Sequence, residues 1–138
     1  MAVKYNEYGE LTMGGTSLKT LAQSFGTPAF VYDEDEIRNQ MRRYHEAFRK
    51  SGLNYNISYA SKAFTCLQMV KLVDEEDLQL DVVSEGELYT ALAAGFDPSR
   101  IHFHGNNKTK REIQYALENH VGYIVIDALE EIDLINKY

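Results

Sequence analysis

Lys62 stands near the end of the run Asn54-Tyr55-Asn56-Ile57-Ser58-Tyr59-Ala60-Ser61-Lys62-Ala63, a placement that suits nucleophilic chemistry. Read as a strand, the run puts Ile57, Tyr59 and Ser61 on one face and Ser58, Ala60 and Lys62 on the other. The bulky face would meet helices. The small face leaves room around a lysine at the carboxyl end of its strand, where α/β sheets and barrels bind ligands. Desolvation at such a place frees an amine to attack a carbonyl as a Schiff base. The alternative, a solvated lysine at a strand end, is the commoner outcome on pattern alone. In Leu80-Asp81-Val82-Val83-Ser84, Asp81 falls opposite Leu80 and Val82 and points inward if that pair meets helices. An inward carboxylate needs a cation or donors, and Lys62 would serve; a solvated aspartate is the competing reading. Glu87, third after Ser84, reads first as half of a helix cap.

His102 and His104 share a face in Ile101-His102-Phe103-His104-Gly105-Asn106-Asn107-Lys108, which invites a metal reading. No Cys, Asp or further His stands nearby at ligand spacing, and a closed zinc site needs four ligands. His102 is therefore read as a packed or hydrogen-bonded interior residue, and His104 and Asn106 as lining a pocket at the end of their strand. Gly14-Gly15 is too short and isolated for a phosphate loop. Cys66 has no His or Asp placed beside it by sequence and reads as structural.

The elements that must position these residues recur. Short β-branched or aromatic runs centre near Ser58, Val82, Phe103 and Val125, with separations of 24, 21 and 22 residues. Each gap holds a helical pattern, which predicts parallel βα units. Thr65 with Gln68, Ser84 with Glu87, Thr109 with Glu112 and Asp127 with Glu130 have capping-box spacing or a close variant of it. Another helix is expected from Asp33, with Ile37, Met41, Tyr44 and Phe48 as its apolar stripe, after a strand at Ala29–Tyr32. Upstream, residues 11–16 read as a strand entering a glycine turn, with Ser17 capping a short helix that ends at Gly26. This first stretch breaks the rhythm and belongs to another layer or a second domain. A closed βα barrel takes eight strands and about 250 residues, so four rhythmic strands predict either a small open sheet or half a barrel.

Composition bounds the function. With 14 Lys+Arg against 21 Asp+Glu the formal net charge is −7, which opposes a general nucleic-acid or anionic-membrane surface. No apolar run approaches the roughly 20 residues of a membrane span. A lone cysteine, and the absence of an apolar core in Met1-Ala2-Val3-Lys4-Tyr5-Asn6-Glu7, predict a cytoplasmic protein whose partners are small molecules.

Four motifs then stand together in order and spacing: Phe25-Gly26-Thr27-Pro28-Ala29-Phe30-Val31-Tyr32-Asp33, Ser58-Tyr59-Ala60-Ser61-Lys62-Ala63-Phe64, Asp81-Val82-Val83-Ser84-Glu85-Gly86-Glu87-Leu88 and His102-Phe103-His104-Gly105-Asn106-Asn107-Lys108. Across nearly the whole chain they resemble the amino-terminal part of the diaminopimelate decarboxylase family, pyridoxal-phosphate enzymes of the alanine-racemase-like fold, fold type III. The His-Gly-Asn-Asn-Lys element distinguishes this branch from the ornithine and arginine decarboxylase relatives. The resemblance implies the first half of a (β/α)8 TIM barrel at residues 31–138, preceded by a segment at 1–30 that joins a second β domain in full-length members. It implies a cytoplasmic homodimeric lyase that decarboxylates meso-2,6-diaminopimelate to L-lysine, the last step of lysine biosynthesis. By the same resemblance Lys62 holds pyridoxal 5'-phosphate as a Schiff base, reversing the reading from pattern alone. Ala60, Asp81, Glu87 and His104 become cofactor-binding positions, and for Glu87 the cap and site roles coexist.

The departures count too. The family's Gly-rich phosphate loop, the His that stacks on the cofactor ring, the acidic partner of the pyridine nitrogen and the Cys segment contributed across the dimer all lie beyond Tyr138. Asp77 and Gln79 stand in a turn where relatives often have glycine, and Glu85 where many have a second one. The 138-residue chain is therefore expected to bind the cofactor weakly and to lack turnover. Two other readings differ in class: a catalytically silent relative that carries the cofactor or binds a partner, and a complete flavodoxin-sized binding module in which the lysine match is coincidence.

Overall fold

The computed structural model describes residues 3–138; Met1 and Ala2, which open the stretch inspected above for a secretory signal, lie outside the described residues. The chain divides into two compact units, Met1–Leu53 and Asn54–Tyr138.

In the first unit β1 (Val3–Tyr5) and β2 (Leu11–Met13) pair antiparallel, Val3 opposite Met13. Asn6 closes their connection, its side-chain oxygen accepting from the amides of Tyr8 at 3.0 Å and Glu10 at 2.9 Å. The glycine turn expected after Met13 is present. Gly14 and Gly15 have φ of +56° and +79°, a conformation that favours residues without a Cβ, and β3 (Thr16–Ser17) folds back onto β2. Ser17 stands at the N-cap of α1 (Leu18–Phe25), but its hydroxyl makes no capping bond and is buried without a partner. Gly26 ends α1 as expected, its amide donating to Ala22.

The strand expected at Ala29–Tyr32 is not formed: these residues belong to neither sheet. Asp33 does cap α2 (Glu34–Arg49), accepting from the Glu36 amide at 3.2 Å. Of the predicted stripe Met41 is buried and Ile37 half-buried, while Tyr44 and Phe48 are exposed.

The second unit is built from βα repeats. β4 (Ser58–Ala60), β5 (Gln79–Val82), β6 (Ile101–Phe103) and β7 (Tyr123–Ile124) form a parallel sheet in sequence order. They alternate with α3 (Leu67–Glu75), α4 (Glu85–Ala93), α5 (Lys110–Glu118) and α6 (Glu130–Ile135). Helices returning each strand parallel to the last, with no jump in strand order, make this the amino-terminal part of a TIM barrel. Leu80, Val82, Ile101 and Phe103 point to the helix side and are fully buried, as are Val73, Leu88, Ala91, Ile113 and Ala116. The opposite face carries a level of side chains that crosses all four strands: Ala60 pairs in register with Asp81, Asp81 with His102, and His102 with Tyr123.

The caps divide into two groups. Ser84 and Thr109 cap as expected, and Thr109 with Glu112 forms a complete capping box. Thr65 does not: a 3-10 turn at Ser61–Ala63 lets its hydroxyl donate to the Ser61 carbonyl, and Cys66 takes the cap, its sulfur accepting from the Met69 amide. Asp127 does not either. Leu129 occupies the cap of α6, and the Asp127 amide instead donates to the Glu131 carboxylate at 3.0 Å. Asp77, standing where relatives often carry glycine, adopts φ +58°, a conformation that aspartate tolerates better than most residues. Among the described residues no helix is long and apolar enough to cross a membrane.

Candidate active site

The carboxyl ends of β4, β5 and β6 open onto a cavity of about 540 Å³. Lys62, His104, Asn106, Asn107, Lys108 and Glu112 are among the residues that line it. Lys62 arrives there because β4 ends at Ala60 and the 3-10 turn follows at once, raising the lysine above the strand end. Ser58 and Ala60 are exposed and Tyr59 half-buried, as the alternation read from the sequence predicts, but the strand expected to reach Lys62 stops short of it: Ser61 and Lys62 lie in the turn, Ser61 buried and Lys62 exposed. Lys62 makes no hydrogen bond or ion pair among the described residues. Its amine is free.

The other lysine of the cavity differs in every respect. The Lys108 side chain is 1% exposed, and its ammonium donates to the carbonyls of Gly105 at 2.6 Å and Val125 at 2.8 Å while pairing with Glu131 at 2.9 Å. An ammonium has three protons, and all three are engaged. Only Lys62 of the two has an amine available for chemistry.

The remaining candidates sit around these two lysines. Asp81 lies one level below the cavity, its Oδ2 4.0 Å from His104 Nδ1, so its basic neighbour is a histidine rather than Lys62. Ala60 is beside Asp81 in register and contributes little bulk. His102 is hydrogen-bonded, as one of the two expectations had it, but half-buried rather than interior: its Nε2 lies 2.5 Å from Gln79 Oε1 and its ring stacks on the exposed Tyr123 at 4.5 Å. Glu87 does not line the cavity. Its Oε2 accepts from the Val83 amide at 2.9 Å and lies 2.6 Å from Ser61 Oγ, so the carboxylate braces the turn that presents Lys62. The sequence reading missed Lys108 and Glu131 as a pair, since nothing local marks a lysine for burial.

Two carboxylates here make stability depend on pH. Burial alone would raise the Glu112 carboxyl, but hydrogen bonds from Thr109 and the Glu85 amide, with the charge of Lys108, outweigh it and hold the group below its ordinary 4.5. Burial also opposes ionisation of Glu131, and bonds from the Asp127 amide and Lys108 overcome it in the same way. A carboxylate with a lowered folded pKa contributes stability that is complete above the unfolded value and lost as pH falls through the folded one. The urea midpoint is therefore expected to fall between about pH 5 and pH 3, and Glu112→Gln to flatten that fall. An unchanged slope in the variant would contradict the assignment.

These residues fit pyridoxal phosphate at its aldehyde end. A free primary amine faces a cavity of the size that small-molecule sites take, at the strand ends where such sites form. A family profile described as "Pyridoxal-dependent decarboxylase, pyridoxal binding domain" matches residues 34–138. The chain belongs to the pyridoxal-dependent decarboxylases. Within them it is 80% identical, over all of its 138 residues, to the diaminopimelate decarboxylase of Staphylococcus aureus (strain COL), of which it covers 33%. The crystal structure of diaminopimelate decarboxylase from M. jannaschii superposes with a TM-score of 0.90 at 34% identity, covering 99% of this chain and 32% of that one. The same holds for that decarboxylase in co-complex with L-lysine, again with TM-score 0.90, 34% identity and coverage of 99% and 32%. The chain spans about a third of the length of the curated decarboxylases it matches.

Proposed function

We propose that these residues are the amino-terminal, cofactor-binding part of a diaminopimelate decarboxylase, which removes carbon dioxide from meso-2,6-diaminopimelate and yields L-lysine. The observation that carries this reading is the contrast between the two cavity lysines. Lys108 is fully engaged, whereas Lys62 presents an unpartnered amine at the strand ends. The likeness to relatives of that name, one solved with L-lysine, supports the choice of substrate.

Pyridoxal phosphate, when bound, supplies the electron sink that accepts the pair left by a departing carboxylate. This chain's residues attach and orient it. Lys62 Nζ is the point of covalent attachment. Ala60 leaves space below the lysine, Asp81 and His104 present polar groups on the adjoining strands, and Glu87 acts at the same rim through Ser61 and Val83. The exposed rim residues Asn106 and Asn107 supply further polar groups at the cavity mouth. In the intact enzyme we place residues 1–30 with a second β domain and 31–138 in the barrel, in a cytoplasmic homodimer.

Reductive trapping tests this reading. The intact protein is mixed with pyridoxal phosphate, reduced with borohydride, digested and searched for pyridoxyl peptides by mass spectrometry. The expected result is an adduct confined to Lys62 at cofactor concentrations that leave the other lysines unmodified. An adduct at another lysine, or a spread over many, would overturn it.

A further inference from the structure

Lys108 reaches the chain at three separated places. Gly105 follows the end of β6 and Val125 the end of β7, and Glu131 lies in α6. Glu131 is itself tied down by the Asp127 amide. Gly105 passes close to the end of β5: with φ +129°, a Cβ added there would stand 3.3 Å from the Val83 carbonyl oxygen. The segment leaving β6 is thus held from two sides, against β5 by close approach and against β7 and α6 by one ammonium. Between Gly105 and Lys108 lie only Asn106 and Asn107, both exposed and both lining the cavity with Lys62.

A buried ion pair by itself is weak evidence for stability, and well-packed apolar residues of similar volume often replace it without loss. The two carbonyls that Lys108 also serves have no such substitute. We propose that Lys108 is a positioning residue for the cofactor site: by joining Gly105, Val125 and Glu131 it sets the height at which residues 104–107 close the cavity beside Lys62. The inference rests on Lys62 being the attachment point, and it assigns Lys108 a part in the site without contact to the reacting atoms.

The test uses the intact protein, three variants and two readouts. Lys108→Met leaves Glu131 buried without its counter-charge, and its thermal midpoint is expected to fall. Lys108→Met combined with Glu131→Leu removes both charges, and Lys108→Arg keeps the pair with Glu131 while changing the reach to the carbonyls. Neither leaves Glu131 buried without a counter-charge, so both are expected to lose less stability than Lys108→Met and to stay folded. A purely structural role predicts that they also bind pyridoxal phosphate as the wild type does. The positioning role predicts that affinity, read by cofactor absorbance titration, falls about tenfold or more in both and that the visible band of the bound cofactor shifts. Wild-type affinity and an unshifted band in either folded variant would overturn the inference. Absence of a Lys62 adduct in the wild-type protein would instead count against the function proposed above, so the two failures are distinguishable.

Discussion

On the function proposed above, Lys62→Met is expected to abolish the borohydride-stable adduct and to lower decarboxylation by the intact protein at least about a thousandfold, as removal of a covalent attachment point should. Stability should not follow. Lys62 is exposed and bonded to nothing among the described residues, so methionine there falls within about 0.5 kcal/mol of wild type, as surface substitutions usually do. Wild-type urea unfolding with lost turnover would place the effect in the chemistry. Retained turnover with an adduct on a different lysine would remove Lys62 from the mechanism.

Gly122→Ala carries the largest expected cost to the fold. Gly122 counts as exposed, yet a Cβ added there would lie 2.0 Å from the Ser99 carbonyl oxygen and 2.7 Å from its carbon. Both are backbone atoms, and neither can rotate away. The Gly122 amide also donates to the Pro98 carbonyl at 2.9 Å, which locks the two segments together just before β7. The methyl group must therefore push the 3-10 turn at Pro98–Arg100 away from the sheet edge or break that bond. We expect a loss at or above the upper end of the roughly 1–3 kcal/mol that overpacking costs, against a total stability of about 5–15 kcal/mol. Urea denaturation measures it. A change under about 0.5 kcal/mol would show that the close approach at Ser99 is not a constraint.

Much of this was legible in the residues. The alternation of Ser58 and Ala60 against Tyr59 marked the strand that leads to the free amine, and the helix caps at Asp33, Ser84 and Thr109 were read correctly because each depends on a partner three residues away. Where the decisive partner was distant, the reading failed. Thr65 lost its cap to a turn beginning at Ser61, and Asp127 does not cap α6 but gives its amide to Glu131, which also pairs with Lys108. Ala29–Tyr32 has the composition of a strand without a strand beside it. Lys108 could not be distinguished from a solvated lysine, since one of its acceptors, Val125, lies 17 residues downstream. Glu87 shows the intermediate case: its amide meets Ser84 as the cap spacing predicts, while its carboxylate serves a turn 26 residues earlier.

The inward level formed by Ala60, Asp81, His102 and Tyr123 has a numerical regularity, for the residue numbers climb by 21 at every step across the sheet. Strand, connection, helix and return occupy the same length of chain three times in succession. A slip of one residue in any strand would turn its inward side chain outward. Equal lengths keep the four at one height. Recombination between relatives at matching points of this 21-residue count would keep the inward level in register, while contacts that cross segments, such as those of Lys108 with Val125 and Glu131, would have to be matched as well.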